Sequence, residues 1–281
     1  MVGELTWQRR LFGLWIPMVA LLVMGLFPFA WMAVTSLKTN AELYDPKAFP
    51  LAIHHPSLVH YIGLLKESNF VIWTANTMLV ALISTAISLL LGSMLAYPLA
   101  RMRFPGAALL ALTVAVTYLV PQTLLFVPMA DFINRLNLGN TLSAVILTYP
   151  TLLVPFCAWL LMGYFKTVPK ELEEAALIDG ASRWRAMTRV ILPLCMPGFI
   201  SAGIFAFTLA QNEFLYALLF LNRSNIRTVP IGVVGELIRG DAFYWGQLMA
   251  GAFLGCIPVI LIYTFFVKYY VAGLTSGSVK G

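Results

Sequence analysis

A short polar sequence interrupts an apolar stretch near residue 213. Gln211, Asn212, Glu213 and Tyr216 lie between long runs of aliphatic and aromatic residues. Their amide, carboxylate and phenol groups suit the hydroxyls and the flat ring faces of sugars. A charge at bilayer depth costs roughly 3 kcal/mol, so such a residue usually faces a cavity or a partner. We interpret the four residues as candidates for a solute path. The alternative is a hydrogen-bond cluster that joins this chain to a partner subunit.

No group of residues in the sequence suggests covalent chemistry. The ends of the apolar runs carry no paired acids, no nucleophile with a base and no metal-binding cluster. His54, His55 and His60 have no carboxylate or thiolate at ligand spacing, so we expect exposed histidines. The sequence also lacks the Gly-x-x-x-x-Gly-Lys-Ser/Thr phosphate loop and does not bind ATP by that means. We expect no catalytic residue, no metal site and no cofactor in this chain.

The elements that position these residues are six apolar runs. The sequence is 60% hydrophobic and 11% charged, whereas a soluble domain carries about a quarter charged residues. Each run is long enough to cross a hydrocarbon core of about 30 Å as a helix, and backbone groups in lipid must bond internally. We predict an all-α integral membrane protein of one domain, residues 1–281, with six transmembrane helices. The spans are about 11–34, 72–100, 107–130, 142–164, 197–221 and 246–267.

The basic residues indicate how the chain is oriented in the membrane. An even number of spans places both termini on one side. With the amino terminus inside, the inner segments hold 11 basic residues and the outer loops hold seven. Basic residues accumulate on the cytoplasmic side of membrane proteins. We therefore expect a multi-pass protein with both termini in the cytoplasm, and we attribute the net charge of +6 to this topology.

A charged, helix-forming segment, about residues 166–196, connects the fourth and fifth runs on the inner side. Val168-Pro169 opens a helix, and three glutamates lie in its first turns, where the helix dipole favours carboxylates. Gly180 can take the left-handed conformation that ends this helix, and Ser182 can cap a second short helix that extends to Arg189. The segment is predicted to be a helix-turn-helix whose two alanines face a partner. The alternative, an amphipathic hairpin resting on lipid, is disfavoured by the glutamates.

The same segment resembles the loop with which permease subunits of ABC importers bind their ATPase. The family pattern is Glu-Ala-Ala, three residues, Gly, nine residues, Ile, one residue, Leu-Pro. This sequence matches the pattern at Glu174, Ala175, Ala176, Gly180, Leu192 and Pro193, with Val190 for the usual isoleucine. It is similar to the smaller permease of maltose-type importers also at Ser36-Leu37-Lys38, Asn76-Thr77, Gln211–Tyr216 and Val271–Gly281. Two departures are Gln211 for the usual tryptophan and Thr77 for the usual serine.

The resemblance implies the type I ABC importer permease fold and a role in sugar uptake at a prokaryotic inner membrane. In that family two homologous permeases form the pore, an ATPase homodimer with ATP and Mg drives transport, and an extracytoplasmic solute-binding protein delivers the sugar. By resemblance, Glu174, Asp179 and Gly180 contact the ATPase through the cytoplasmic coupling loop. The carboxyl-terminal tail, Leu274–Gly281, would reach between the ATPase subunits. The chain itself would be a transporter subunit, not an enzyme.

Other functional classes fit the sequence less well. Permeases for polyols or glycerol phosphate share these motifs, but a phosphate cargo would require arginines inside the spans, and the sequence places none there. A secondary transporter or channel that works without ATP would need ion-coupling charges in the spans, and only Glu213 is present. A membrane enzyme is disfavoured because no catalytic grouping is present.

Overall fold

The computed structural model describes residues 7–239 and 242–275, and most of these residues are helical. In chain order the helices are α1 Trp7–Arg10, α2 Ile16–Leu37, α3 Asn40–Leu43, α4 Val59–Glu67, α5 Phe70–Arg101, α6 Ala107–Tyr118, α7 Phe126–Arg135, α8 Leu142–Thr148, α9 Pro150–Thr167, α10 Lys170–Ile178, α11 Arg183–Ala186, α12 Leu192–Leu194, α13 Met196–Gln211, α14 Leu215–Phe220, α15 Val229–Leu237 and α16 Trp245–Thr275. Two short antiparallel strands are β1 Ile238–Arg239 and β2 Ala242–Phe243. Single turns of π-helix, Leu11–Trp15 and Met187–Ile191, and of 3-10 helix, Gln122–Leu125 and Ser224–Ile226, complete the assignment.

The described residues contain four continuous helices that are long and apolar enough to cross a membrane. They are Leu11–Leu37, Phe70–Arg101, Leu142–Thr167 and Trp245–Val267. Two bent pairs also qualify, Ala107–Tyr118 with Gln122–Arg135 and Arg183–Leu194 with Met196–Gln211. Counting each bent pair as one span gives six. The all-α membrane fold is therefore confirmed, and the helix of its third apolar run is broken.

The third apolar run, predicted as one helix over about 107–130, turns by 97° after Tyr118. Pro121 explains the break, because proline has no backbone N–H and disfavours helical geometry in the residue before it. Pro121 itself is extended, with φ −59° and ψ 129°. Beyond the break the chain makes the 3-10 turn at Gln122–Leu125 and continues as α7. Hydropathy alone does not reveal this break, since the residues on both sides are apolar.

The chain forms two compact units, which are described separately. The first comprises the described residues up to Phe70 and those within Val233–Cys256, and the second comprises Val71–Gly232 and the described residues from Ile257. The carboxyl-terminal residues from Ser276 onwards, on which most of the expected tail contact depends, lie outside the described residues.

In the second unit, α9 is the central helix, and it packs against α6 and α13. Small residues allow close approach of the backbones around it. A Cβ at Gly92 of α5 would lie 2.7 Å from the Cβ of Cys157 on α9, and a Cβ at Gly198 of α13 would overlap the Tyr164 ring. Such small-residue contacts are typical of helices packed in membranes, where van der Waals contact replaces the hydrophobic effect.

At the Phe70 end of α5, three side chains hold a loop of the same unit. The Trp73 Nε1–H donates to the carbonyl of Ser224 at 2.7 Å. Asn76 Nδ2 donates to the carbonyls of Asn225 and Arg227. The Thr77 hydroxyl accepts from the Val229 N–H at 2.8 Å. The Asn76-Thr77 pair therefore satisfies backbone groups between the 3-10 turn at Ser224–Ile226 and the start of α15.

In the first unit, Lys38 fixes the long loop after α2. Its side chain is buried, and Nζ donates to the carbonyls of Phe49 at 3.1 Å and Pro50 at 2.8 Å. The expected exposure of the three histidines is wrong for His60, which is buried against Gly246. Burial lowers the pKa of His60, because the charged imidazolium loses its hydration there.

The contact between Gly92 and Cys157 gives a stability test with an internal control. We expect Gly92→Ala to lower the free energy of unfolding by about 1–3 kcal/mol, since the added methyl group meets the α9 backbone and Cβ. Gly163→Ala adds the same group to the interior of α9 with no atom within 4 Å, and we expect it to be neutral or stabilising. Denaturant titration in detergent micelles compares them. Equal stability of the two variants would refute close packing at Gly92.

Candidate functional site

The segment between α9 and α13 is a helical hairpin built from α10 and α11. Helix α10 ends in a left-handed residue, since Gly180 has φ +84°. The Gly180 N–H donates to the carbonyl of Leu177 and the Ala181 N–H donates to that of Ala176, at 3.1 and 2.9 Å. These bonds form a Schellman ending, which glycine adopts without a Cβ penalty. The predicted role of Gly180 in ending the helix is confirmed.

The second arm of the hairpin differs in detail from the prediction. Ser182 caps α11, because its hydroxyl accepts from the Arg185 N–H at 3.3 Å. The helix then widens to a π-turn that extends to Ile191, beyond the predicted end at Arg189. Met187 and Ile191 of this arm are buried among the spans.

The hairpin presents apolar side chains on its outer surface. Ile178 is 86% exposed, and Leu172 and Trp184 are also exposed. Of the residues predicted to contact a partner, Glu174, Ala175, Asp179, Gly180 and Pro193 are exposed, whereas Ala176 and Leu192 are half-buried. A patch of exposed apolar residues rimmed by charges is typical of a protein interaction surface. The sequence analysis missed Ile178, although its position on the exposed side of α10 follows from helical spacing.

The first arm of the hairpin is attached to the spans by a buried ionic junction, formed by Tyr97, Arg101 and Glu173. The Tyr97 hydroxyl donates to one carboxylate oxygen of Glu173 at 2.5 Å, and Arg101 Nε donates to the other at 2.8 Å. The side chains of Arg101 and Glu173 are 2% and 8% exposed. Glu173 was predicted to lie with the other glutamates on a surface face of the helix, and that interpretation is wrong. Glu173 can be buried because Tyr97 and Arg101 of α5 donate hydrogen bonds to its two carboxylate oxygens.

Arg101 also closes the end of α9. Its two terminal nitrogens donate to the carbonyls of Phe165, Val168 and Pro169, at 3.2, 2.6 and 3.2 Å. These carbonyls belong to the last turn of α9 and to the connection into α10, where intrahelical partners run out. Pro169 is the N-cap of α10, so the helix begins at Lys170, one residue after the predicted first helical position. One guanidinium therefore joins α5, α9 and α10.

The second candidate region lies at a break in the fifth apolar run. Helix α13 ends at Gln211, Asn212 is its C-cap, and α14 begins at Leu215. The prediction of one apolar helix through Glu213 is wrong, because Glu213 lies in the break, two residues before α14 begins. Its carboxylate accepts from the N–H groups of Tyr216 at 2.8 Å and Ala217 at 3.1 Å. The carboxylate thus satisfies backbone donors that have no intrahelical acceptor.

Only two of the four predicted solute-path residues share a cavity. Asn212 and Glu213 line a cavity of about 590 Å³ in the second unit, whereas Gln211 and Tyr216 are buried in the core and do not line it. Residue spacing along one continuous helix could not show which of these residues line the cavity. The chain breaks at Asn212, and this break turns Tyr216 away from the cavity.

Several polar residues of the cavity were missed by the sequence analysis. They come from the end of α6, the 3-10 turn, the start of α9 and the last turn of α13, and they are Thr117, Gln122, Tyr149, Thr151 and Thr208. Tyr118, Leu152 and Phe214 supply apolar and aromatic walls. Among the described lining residues no side chain is basic, so the cavity suits a neutral, hydroxyl-rich molecule better than an anion.

Comparisons with known proteins agree over most of the chain. Residues 88–276 match the family described as binding-protein-dependent transport system inner membrane component. The chain is 39% identical to the sulfoquinovosyl glycerol transport system permease protein SmoH of Agrobacterium fabrum, over 93% of this chain and 91% of that protein. It is 34% identical to the trehalose/maltose transport system permease protein MalG of Thermococcus litoralis, over 94% of each.

A solved structure has the same fold. A chain of a bacterial ABC transporter that imports the acidic polysaccharide alginate superimposes with a TM-score of 0.78, covering 95% of this chain and 99% of that one. The sequence identity is 20%, so this comparison concerns the fold alone. The type I importer permease fold expected from the sequence is thereby confirmed.

Two neighbouring substitutions test whether Glu213 stabilises the fold by capping the helix break. We expect Glu213→Ala to lower the free energy of unfolding by about 1–3 kcal/mol, because two backbone N–H groups lose their acceptor. The exposed Asn212 loses a single hydrogen bond, from Nδ2 to the carbonyl of Thr208 at 2.9 Å, which water can replace, so we expect Asn212→Ala to lower stability by less than about 1 kcal/mol. Unfolding of both variants in detergent measures the difference. Unchanged stability of Glu213→Ala would exclude the capping role.

Proposed function

The chain belongs to the family of binding-protein-dependent transport system inner membrane components, and from that premise we propose that it is a permease subunit of an ATP-driven sugar importer. It forms half of the translocation pore and pairs with a second, homologous permease. An ATPase homodimer binds ATP and Mg outside this chain, and an extracytoplasmic solute-binding protein delivers the sugar. The chain itself carries out no covalent chemistry.

The exposed hairpin is the observation that carries this proposal. It presents Ile178, Leu172 and Trp184 on a surface with charged residues around them, and a soluble partner would bury these apolar groups. The exposed Glu174 and Asp179 offer carboxylates to a basic group of the ATPase, while Gly180 fixes the bend between the arms. An amphipathic hairpin resting on lipid would instead direct its apolar residues and basic groups to one face.

The proposed orientation places the hairpin in the cytoplasm, together with both termini. The basic residues Arg101, Arg183, Arg185 and Arg189 lie at this end of the spans, as expected for cytoplasmic segments. The location is the inner membrane of a prokaryote. The cavity at Glu213 then lies toward the outer side, where a delivered solute enters.

A sugar is the cargo that the cavity chemistry favours. Hydroxyl, amide and aromatic groups line it, and these suit sugar hydroxyls and ring faces. The named relatives are permeases for sulfoquinovosyl glycerol and for trehalose and maltose. A phosphate cargo would be better served by arginine or lysine, and the described lining residues include neither.

The direct test is uptake by the complete complex in proteoliposomes. The chain, its partner permease and the ATPase are reconstituted, the binding protein is added outside, and labelled mono- and disaccharides are offered with and without internal ATP. We expect accumulation that requires every component and ATP, and that an excess of glycerol phosphate leaves unchanged. Uptake by this chain alone, without nucleotide, would refute the proposal.

The left-handed glycine of the hairpin supplies a specific prediction. Gly180→Ala forces a Cβ into a conformation that costs about 1–3 kcal/mol, so the bend relaxes and the ATPase loses its docking surface. We expect uptake to fall at least fivefold, with ATP hydrolysis no longer stimulated by the loaded binding protein. Gly106→Ala is the matched control, because Gly106 has φ +85° and open space but lies in another loop. An equal loss of uptake in both variants would contradict a specific role for Gly180.

A further inference from the structure

The hairpin must transmit movement to the spans if the proposed function is correct, and its first arm has an unusual attachment. Within α10, Glu173 is the buried residue, whereas the others are half-buried or exposed. The second arm differs, because Met187 and Ile191 pack into the apolar core. The arm that carries Glu174 and Ala175 is therefore fixed to the membrane part of its unit through a carboxylate.

The hydrogen bonds at the Glu173 carboxylate restrict the orientation of α10. Tyr97 and Arg101 lie one turn apart on α5, and each donates to a different oxygen of Glu173, at 2.5 and 2.8 Å. Because both oxygens are engaged, α10 cannot turn about its own axis without breaking a bond. Apolar packing has no comparable directionality, so side chains can slide past one another. Charge-assisted hydrogen bonds in a buried site hold one geometry.

The junction connects α10 to two spans at once. Besides bonding Glu173, Arg101 donates to the carbonyls of Phe165 and Val168 at the end of α9. Lysine could not replace it, since only a guanidinium has several N–H groups in a fixed planar fork. Movement of α10 therefore reaches α9 through the chain and α5 through the side chains.

Helix α5 extends this connection across the unit. It has 32 residues, which corresponds to about 48 Å at 1.5 Å per residue. Near its other end, Trp73, Asn76 and Thr77 hold the loop from Ser224 to Val229. Polar bonds therefore anchor α5 near both of its ends, at Glu173 and at the loop from Ser224 to Val229.

We propose that Tyr97, Arg101 and Glu173 form the positioning junction that transfers movement of the coupling hairpin to α5. This inference rests on the proposed function. It adds a second route for movement of α10, beside the covalent connection to α9. When the junction is weakened, the ATPase still docks and hydrolyses ATP, but part of the movement of α10 is lost before it reaches α5. The resulting defect is an increase in the ATP consumed for each molecule of solute transported.

The test measures the ratio of ATP hydrolysed to solute transported, in proteoliposomes that contain the complete complex. Glu173→Gln removes the charge at nearly constant shape, and we expect the ratio to rise at least threefold while the ATPase copurifies normally. Glu171→Gln is the matched control, since Glu171 lies on the same helix and is exposed. Its ratio should equal that of the wild type. A purely structural role for Glu173 would reduce the yield of complex and leave the ratio unchanged, and that result would overturn the inference.

A second variant decides the question if Glu173→Gln does not assemble. Tyr97→Phe removes one hydrogen bond and keeps the ring against Phe165, so the fold is retained. We expect a rise of about 1.5- to 3-fold in the ratio, and an unchanged ratio would overturn the inference. The wild-type complex separates the two proposals. If it shows no ATP-dependent uptake, the proposed function fails, whereas normal wild-type uptake with unaltered variants defeats only the junction.

Discussion

Backbone N–H and carbonyl groups in a lipid environment have no water to bind, so every helix break must supply its own partners. This constraint determines where the polar side chains of the chain lie. Glu213 accepts the first N–H groups of α14, and Arg101 donates to the last carbonyls of α9. Thr77 accepts the N–H at the start of α15. The same groups that satisfy the backbone also join neighbouring elements to one another.

The constraint changes how Glu213 is understood. A carboxylate in an apolar run suggests a solute contact when only the sequence is considered. In the structure both of its oxygens accept backbone N–H groups, and its side chain is largely buried, at 8% exposure of the residue. Its main contribution is thus to satisfy the backbone at this break, and the exposed polar side chain beside it is that of Asn212, whose Nδ2 donates to the carbonyl of Thr208 at 2.9 Å. Both residues line the cavity.

Local features of the chain could be predicted, and long-range features could not. Gly180 and Ser182 act through bonds to residues within five positions, so sequence spacing was sufficient to assign them. Apolar runs were sufficient for the membrane fold. The bond between Arg101 and Glu173 joins residues 72 apart, and no periodicity encodes such a meeting. The prediction that Asn212 and Tyr216 share one site is wrong for another reason. A helix break separates the two residues, and the residue that caps this break, Glu213, belongs to the same polar motif.

The ionic attachment of α10 also answers a problem of composition. A helix of nine residues cannot bury one apolar face against the spans and present another to a soluble partner without becoming apolar all round. Such a helix would insert into the membrane or aggregate before the partner arrived. With one carboxylate serving as the attachment, Leu172 and Ile178 stay available on the outer surface. The polar junction therefore holds a short helix on one side and leaves its apolar residues exposed on the other.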